Sequence, residues 1–565
     1  MTAGEDFNLI DDPWIRAMDH LGKVDELSLA DFFRRAHELK ALAGELPTQD
    51  AAILRVLLAV AYAVFGREDA DGARVEADAP MKLLEHWHKL WKLKRFSMAG
   101  VEKYFDRHRD RFGLFHPTTP FFQVAGLHAK DEKINPVTQM ICDVPSREAR
   151  RFFTNRGGRE AASLSFAEAA RWLIHLQAWD YAGKKATIVG GNPDGGGTGW
   201  LGKLGVVHAE RENLFETLLL NMILLDQNGK PLPPGRPCWE MPPKPAHKVE
   251  RLPDGYADLL TWQSRRVRLF RDGGRVTGIL YSYGDVFEKG NTFVEQMSGW
   301  RPSSEKGKEN RFIPNTHSAD RSAWRDLCAL LSRKSHDGKD NRPPGIVAWA
   351  AALKHKCLDE LEILQLRTVG LEYGNMQAVV NELISDGVTV NAALLTELDK
   401  EWLPRILDAV QKTDQCVSEL GRLASTLVEA SGGSDERALK GAAAVAREQA
   451  FFALDVPFRE WLSRIDPAKD DVDDQLIGWF GKKGDNPPGA DPAGAAGNAG
   501  TSARPGRMRS ILFGQAARMV GEAGVKAMVG VGKTNENTNK KAYINSCKAL
   551  DYFSRQLDQI IGGKK

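Results

Sequence analysis

The spacing of hydrophobic positions along this 565-residue chain changes near residue 391. Before that point, short runs with strand-like alternation are interleaved with segments of helical spacing, which predicts a mixed architecture. Beyond it, the β-like runs stop and apolar residues recur three, four or seven positions apart, as is typical of helices packed side by side. We therefore predict an α+β fold, with a large mixed N-terminal domain over 1–390 and a C-terminal four-helix bundle over 391–565.

The predicted bundle begins with a helix whose apolar seam comprises Leu403, Ile406, Val410, Val417, Leu420, Ala424 and Leu427. Further helices are predicted over 436–465, 508–520 and 541–561. Residues 484–507 are rich in Gly, Pro and Ala and too poor in large apolar side chains to fold. We predict a flexible insertion there, between the second and third helices of the bundle.

Local patterns in the N-terminal domain predict individual elements. The chain opens with a hairpin over 7–29, and Thr48 is placed to cap an apolar core helix over 50–65. A second hairpin turns at 272–274, where an Asp and two glycines separate two runs, and the arginines of these runs predict one basic side.

A tight loop is predicted after the apolar strand 364–369. It carries Gln377 near its tip, and we expect a helix to resume at Val379. A glutamine in such a loop could cap the chain, hydrogen-bond a base or serve no specific role.

A glycine-rich stretch over 192–205 organises the middle of the domain. Six of its fourteen residues are glycine, so its main chain can approach a flat or grooved partner closely. Residues 197–203 overlap both a dinucleotide pattern and a P-loop pattern, but Leu204 replaces the required Ser or Thr, and a strand follows where a helix is needed. Close approach to a macromolecule is favoured, with a plain surface loop and a nucleotide site as the alternatives.

A second P-loop-like pattern occurs at 527–534, with Ala in first place. The 31 residues that follow it are helical or polar, so they cannot supply the sheet and the second acidic motif of an NTPase. We predict a connection between two helices there.

An arginine-rich stretch over 146–160 carries five arginines around Phe152, Phe153 and a Gly-Gly pair. Arginine binds phosphates and stacks on bases, and phenylalanine offers an aromatic face to a splayed base, so the mixture suits single-stranded nucleic acid. A solvated loop with buried phenylalanines is the alternative. Two polar loops farther on place Lys289 and Lys306 beside glycine, where a lysine could be merely solvated or could contact a ligand.

Composition narrows the function further. Hydrophobic residues make up 42% and charged residues 27%, the formal net charge is +2, and no signal peptide or long apolar run is apparent, so we expect a cytoplasmic protein with no membrane contact. The six cysteines are scattered singly, which predicts no metal site. The chain lacks recognisable hydrolase and metalloprotease motifs. The sequence therefore favours binding over catalysis, with no cofactor.

Several short motifs, taken in order, resemble the CasA family, the large subunit of type I-E CRISPR Cascade complexes. They are Asn8-Leu9-Ile10 followed by Trp14-Ile15, Pro120-Phe121-Phe122-Gln123, Phe153-Thr154-Asn155, the glycine-rich stretch and the terminal bundle. The resemblance covers nearly the whole chain. It implies a subunit without enzymatic activity that docks at the crRNA 5′ handle, contacts other Cascade subunits, recognises the protospacer-adjacent motif (PAM) in target double-stranded DNA and helps recruit a helicase-nuclease.

The resemblance also implies roles for particular residues. Gly195, Gly196 and Gly197 match the family's glycine loop, and Gln377 followed by Ala378 matches its glutamine wedge. Lys289 and Lys306 are both candidates for its lysine finger.

Phe153, Thr154, Asn155 and the adjacent Arg156 match the loop that meets the crRNA and neighbouring subunits, with Thr154 in place of a valine. The 484–507 insertion is unusual for the family, and the cysteine cluster of some relatives has no counterpart, so no zinc is implied. A nucleotide-binding enzyme and a scaffold that binds only protein remain the competing hypotheses.

Overall fold

The computed structural model describes residues 7–69, 72–76, 79–142, 144, 156, 162–191, 195–287, 293–305, 311–334, 338–358, 360–396, 401–482, 506–534 and 541–562. The chain divides into two compact units, Met1–Ala323 with Cys328–Gly387, and Trp324–Leu327 with Val388–Lys565. The first mixes helices and strands, whereas the second is largely helical. The predicted α+β fold with a C-terminal helix bundle is confirmed.

The helices that begin before residue 390 are α1 (Leu29–Arg35), α2 (Pro47–Phe65), α3 (Pro80–Lys92), α4 (Met98–His108), α5 (Phe166–Trp179), α6 (Leu214–Asn221), α7 (Tyr256–Leu260), α8 (Leu327–Leu331) and α9 (Gly345–Lys356). The strands in the same part of the chain are β1 (Ile15–Asp19), β2 (Val24–Leu27), β3 (Leu39–Leu42), β4 (Asn135–Pro136), β5 (Val206–Glu210), β6 (Val249–Arg251), β7 (Arg265–Asp272), β8 (Arg275–Tyr283), β9 (Asp285–Phe287), β10 (Trp300–Pro302), β11 (Phe312–Pro314), β12 (Ile363–Tyr373) and β13 (Val380–Asn391).

Helix α2 is the core helix of the first unit. It begins at Pro47, whose fixed φ suits the first helical turn, so Thr48 lies inside the helix and the prediction that it caps the helix is wrong. The Thr48 hydroxyl instead lies 3.0 Å from Nε2 of His175 on α5. By length and composition α2 could also span a membrane, contrary to the sequence expectation, but nearly all of it is buried within the protein.

Helix α5 leads the chain toward the glycine-rich stretch. Ser165 and Glu168 form a reciprocal capping box at its start, which satisfies two of the main-chain amides that a helix leaves free. At its end, the Trp179 indole donates to the carbonyl oxygen of Thr48 over 2.8 Å. The chain therefore leaves α5 from a position fixed against α2.

Small sheets surround these helices. Strand β1 pairs with both β2 and β3, which confirms the opening hairpin, and β7 pairs with β8 across the turn that the glycines predict. A further three-stranded sheet has the order β13-β12-β5. Strand β13 corrects the sequence analysis, which predicts a helix from Val379, and it makes the Gln377 loop the tip that joins two neighbouring strands.

The β7–β8 hairpin corrects a second prediction. Arg265 and Arg266 are buried, so they do not contribute to an exposed basic side. Asp285 accepts a hydrogen bond from Arg266 and also pairs with Lys244 at 2.9 Å and Arg251 at 2.6 Å. Each buried guanidinium is thus paired, as burial of a charge requires.

The second unit contains α10 (Trp402–Ala430), α11 (Glu436–Arg464), α12 (Val472–Phe480), α13 (Arg507–Val529) and α14 (Ser546–Gly562), with strands β14 (Val531–Thr534) and β15 (Lys541–Ile544). The four long helices confirm the predicted bundle, and every residue of the predicted apolar seam on α10 is buried. Helix α12 was not predicted. The predicted insertion lies outside the described residues, except that Gly506 precedes α13 and Arg507 begins it.

The 527–534 pattern corresponds to the end of α13 followed by β14, which pairs with β15. The predicted connection between helices is therefore a β-hairpin that joins α13 to α14. A phosphate-binding loop instead joins a strand to the N-terminus of a helix, and that arrangement does not occur here.

Candidate nucleic-acid interface

The described residues include the glycine loop, the glutamine wedge and one residue of the predicted crRNA loop. Gly195, Gly196, Gly197, Gln377 and Ala378 are described. Arg156 is described, whereas the other predicted crRNA-loop residues, Phe153, Thr154 and Asn155, and both candidate finger lysines, Lys289 and Lys306, lie outside the described residues.

The glycine-rich stretch is fixed to its surroundings by its C-terminal half. Gly199 donates from its amide to the carbonyl oxygen of Asp180 over 2.8 Å, and Gly205 donates to that of Asn315 over 2.6 Å. The indole of Trp200 donates to Glu295 over 2.7 Å. Glu295 in turn accepts two 3.0 Å hydrogen bonds from the buried guanidinium of Arg55. The Arg55–Glu295 ion pair therefore anchors the Trp200 side chain.

The glycines of this stretch serve different purposes. A β-carbon at Gly196 would lie 2.8 Å from Cδ1 of Tyr283, and one at Gly202 would lie 2.5 Å from the Tyr373 hydroxyl, so both positions need glycine for packing inside the protein. Gly197 has φ of +74°, the left-handed region that favours glycine. Gly195 is exposed, and a β-carbon there would make an ordinary 3.8 Å contact. The surface that a partner can approach therefore centres on Gly195 and Gly197.

Asp180 and Arg265 hold Gly197 in place. Both side chains are buried, and the Asp180 carboxylate accepts a hydrogen bond from Arg265 and pairs with Lys185 at 2.7 Å. From this position Arg265 also donates to the carbonyl oxygen of Gly197 over 2.8 Å. This support was not predicted from the sequence, because Arg265 belongs to an arginine run that predicts an exposed basic face.

Lys203 reaches back along the same loop. It ends a short 3₁₀ turn, Leu201–Lys203, and a β-carbon at Gly197 would lie 3.6 Å from its Cε. Burial, and secondly the positive charge of Arg265, hold the pKa of the Lys203 amine below its usual range. The loop thus presents a lysine whose charge its surroundings disfavour.

The Gln377 tip projects from the sheet in a strained conformation. Met376 and Gln377 have φ of +52° and +56°, a region that residues other than glycine rarely adopt. Short main-chain hydrogen bonds close the tip, from Gly374 to Val379 over 2.7 Å and from Ala378 to Asn375 over 3.0 Å. The Gln377 side chain is exposed, and that of Met376 is 86% exposed.

The tip and the glycine loop share one strip of main chain, residues 179–183. The Ala182 amide donates to the carbonyl oxygen of Gln377 over 2.8 Å, and the Tyr373 hydroxyl donates to that of Trp179 over 2.6 Å. Tyr283, which packs on Gly196, donates to the carbonyl oxygens of Ala182 and Gly183. The structure therefore brings together two elements that lie about 180 residues apart in the sequence.

Both lysine-bearing loops are flanked by a described residue that contacts the glycine-rich stretch. Phe287, the last described residue before the Lys289 loop, lies with its ring centroid 3.9 Å from that of Trp200 and 4.3 Å from that of Trp262. The Lys306 loop belongs to the β10–β11 hairpin, which is followed by Asn315, the acceptor for the Gly205 amide.

Arg156 is anchored within the first unit. Its guanidinium donates to Glu168 over 3.1 Å and also to Glu45, and its side chain is largely buried. Arg156 therefore fixes the end of the predicted crRNA loop, and a direct RNA contact by this loop stays a prediction.

The described residues also bear on metal binding and nucleotide binding. In the part of the chain that the structure describes, no group of three or more His, Cys, Asp or Glu side chains lies together as a metal site would require. The glycine loop is followed by β5, and the next helix, α6, begins nine residues after Gly205, at Leu214. The loop therefore lacks the adjoining helix N-terminus that would hold a nucleotide phosphate.

Comparison with known proteins agrees with the resemblance. A curated relative, the CRISPR-associated protein CasA/Cse1 of Thermus thermophilus, is 29% identical over 430 residues, which cover 75% of this chain and 78% of that protein. The crystal structure of Thermobifida fusca Cse1 superimposes with a TM-score of 0.80 at 32% identity and covers 99% of this chain and 98% of that one.

A chain in the structure of a CRISPR RNA-guided surveillance complex shares the fold, with a TM-score of 0.65 at 19% identity and coverage of 98% of this chain and 99% of that one. The sequence profile of the family described as CRISPR-associated protein Cse1 matches residues 8–482. With its fold and its sequence both matched over most of its length, the chain belongs to the Cse1 (CasA) family of CRISPR-associated proteins.

Proposed function

We propose that this protein is the large, non-catalytic subunit of a crRNA-guided DNA surveillance complex, that it recognises the PAM in duplex DNA and that it begins strand separation. Family membership and the likeness to a surveillance-complex chain support the first part. The hydrogen bond from the Ala182 amide to the Gln377 carbonyl oxygen supports the proposed PAM recognition and strand separation, because it fixes an exposed tip beside the glycine loop.

The chemistry of these elements suits the minor groove of DNA. That groove presents mainly hydrogen-bond acceptors together with the guanine N2 amine. The exposed main chain at Gly195 and the partly exposed main chain at Gly197 can approach a base edge closely. A lysine from a neighbouring loop can donate to acceptors. Because A·T and T·A pairs look alike in this groove, recognition is expected to tolerate several motifs.

Gln377 acts as the wedge. Inserting a side chain between base pairs costs roughly a few kcal/mol in lost stacking, which protein contacts and guide pairing offset. The tip is already held in its left-handed conformation by internal hydrogen bonds, so little ordering is needed when DNA binds. Strand opening then starts beside the PAM.

The remaining partners follow from the same proposal. The 153–156 loop, anchored at Arg156, meets the crRNA 5′ handle and the other Cascade subunits, and the assembled complex recruits a helicase-nuclease after DNA binding. A nucleotide-dependent enzyme is disfavoured because neither glycine-rich pattern opens a helix.

The test uses the complex assembled on its crRNA, with Gly195→Ala and Gln377→Ala as separate variants. Gly195 is the informative glycine, because a β-carbon there meets only ordinary contacts within the protein. We expect each variant to weaken binding of a PAM-containing duplex by about tenfold, equivalent to ~1.4 kcal/mol, while binding of a single-stranded target stays unchanged because no duplex has to be opened.

Gly274→Ala is the matched control, since a β-carbon in that turn points into open space. Unchanged duplex binding by both test variants, in complexes that assemble normally, would refute the proposed recognition.

A further inference from the structure

Lys203 is a half-buried lysine that has no counter-ion among the described residues. Its cationic neighbour Arg265 shares the single Asp180 carboxylate with Lys185, so these three groups together keep a net positive charge. The side-chain amine of Lys203 forms no ion pair or hydrogen bond with any described residue. An ammonium group in a partly desolvated site is unfavourable unless an anion accompanies it, so the protein carries an electrostatic cost here that nothing in the first unit's described residues offsets.

The lysine is aimed along the glycine loop. A β-carbon at Gly197 would lie 3.8 Å from its Nζ, so the missing side chain at 197 leaves room for the amine beside the exposed main chain. The charge of Arg265, which is bonded to the Gly197 carbonyl oxygen, adds to the positive potential at the same point and contributes to the lowered pKa of Lys203.

Other polar groups of the loop are also unsatisfied. The amides of Gly196 and Gly197 donate no hydrogen bond within the described part of the chain. Thr198 is 2% exposed, and its hydroxyl likewise has no partner among the described residues. Successive free amides next to a cation form the kind of concave site that binds phosphate oxygens.

We propose that Lys203 and the Gly196–Gly197 amides bind one backbone phosphate of the target DNA. This inference rests on the proposed function and adds to it a contact that positions the duplex but does not read its sequence. The phosphate supplies the missing anion, and it fixes the depth at which Gly195 meets the groove.

The test is a salt titration of DNA binding by the assembled complex with Lys203→Gln and Lys203→Arg. One lost phosphate contact should make the slope of log K against log salt concentration shallower by about 0.9. For Lys203→Gln we expect this change together with a several-fold loss of affinity that is the same for PAM-containing and scrambled duplexes. Lys203→Arg keeps the charge and should restore most of the slope.

Lys89→Gln on α3 is the control, because it removes the same charge from an exposed helix face and should leave both slope and affinity unchanged. The melting temperature of Lys203→Gln should equal or exceed that of the wild type, since an uncompensated charge is removed, and a fall would point to a structural role.

The outcomes separate this inference from the proposed function. If Lys203→Gln leaves the slope unchanged, or if its loss is confined to the PAM-containing duplex, the phosphate contact is refuted. If it changes the slope while Gly195→Ala and Gln377→Ala have no effect, the phosphate site stands and PAM recognition by this surface does not.

Discussion

The ring of Phe287 packs on that of Trp200, with 3.9 Å between their centroids. Trp200 lies within the glycine-rich stretch, and Phe287 ends β9, directly before the Lys289 loop. A contact this close fixes where that loop leaves the sheet. The Lys306 hairpin, by contrast, meets the glycine-rich stretch at its far end, where Asn315 accepts from the Gly205 amide.

We predict that Lys289, rather than Lys306, supplies the lysine finger. Lys289→Ala should weaken binding of a PAM-containing duplex by about tenfold, because a loop that starts at the glycine stretch can bring an amine to the same groove. Lys306→Ala should cost less than threefold. Competition binding with PAM and scrambled duplexes measures both, and an equal or reversed ranking would show that the Phe287 contact does not select the finger.

A second prediction concerns Glu295, which joins Arg55 to Trp200. Glu295→Ala leaves the Arg55 guanidinium buried without its carboxylate, so we expect unfolding of the first unit to be easier by roughly 3–5 kcal/mol. The Trp200 indole also loses its acceptor, so DNA binding should fall even where the variant is folded.

The double variant Arg55→Met with Glu295→Met removes both charges and should be markedly less destabilised than Glu295→Ala. Denaturant unfolding of the wild type, Glu295→Ala and the double variant tests this. Equal destabilisation of the single and double variants would contradict the explanation that an unpaired buried charge is responsible.

A third prediction concerns pH. Burial raises the pKa of Asp50 from 3.8 to about 6, although the Gly44 amide donates to its carboxylate over 2.7 Å. Because the folded state holds this proton more tightly than the unfolded state, protonated Asp50 contributes fully to the free energy of unfolding below pH 3.8. The contribution is lost as pH rises through about 6, where the native state holds a partly desolvated charge.

Asp50→Asn removes this titration and keeps an oxygen for Gly44. It should therefore match the wild type near pH 4 and exceed its stability at pH 8 by at most about 2–3 kcal/mol. Thermal unfolding across that range measures the difference, and parallel pH profiles for the two proteins would show that Asp50 is not the group responsible.

Local patterns predicted the parts of the fold that local physics decides. The apolar seam of α10 was correct because a repeat of three and four residues places those side chains on one face, and the turn at Gly273 was correct because glycine alone favours φ of +54°. The start of α5 is set by another local pattern, the Ser165–Glu168 capping box, which was not used as a prediction.

Predictions failed where pairing between elements decides the outcome. Residues after Val379 were predicted as a helix, but pairing with β12, the strand just before the tip, makes them a strand. Arg265 and Arg266 were expected to face solvent, but Asp180 and Asp285 allow both to be buried. Both partners are remote enough in sequence that no local pattern links them.

The same reasoning applies to the candidate interface. The number of glycines marks the stretch as unusual, but Tyr283 and Tyr373 determine which glycines the fold itself requires, and these tyrosines lie about 90 and 170 residues away. The loop that carries Gln377 was predicted from the local pattern, and its role as a wedge is implied by a short match to the family motif. Its connection to Ala182 depends on the docking of a sheet against the segment after α5, which the sequence does not show.

The different demands on neighbouring glycines bear on any attempt to re-engineer the proposed DNA-contacting surface of this protein. Libraries randomised at Gly196 or Gly202 would mostly yield proteins with a disrupted interior, because Tyr283 and Tyr373 already occupy the space a side chain needs. Gly195 has open surroundings, so a designer can introduce a new hydrogen-bonding group there without repacking the domain.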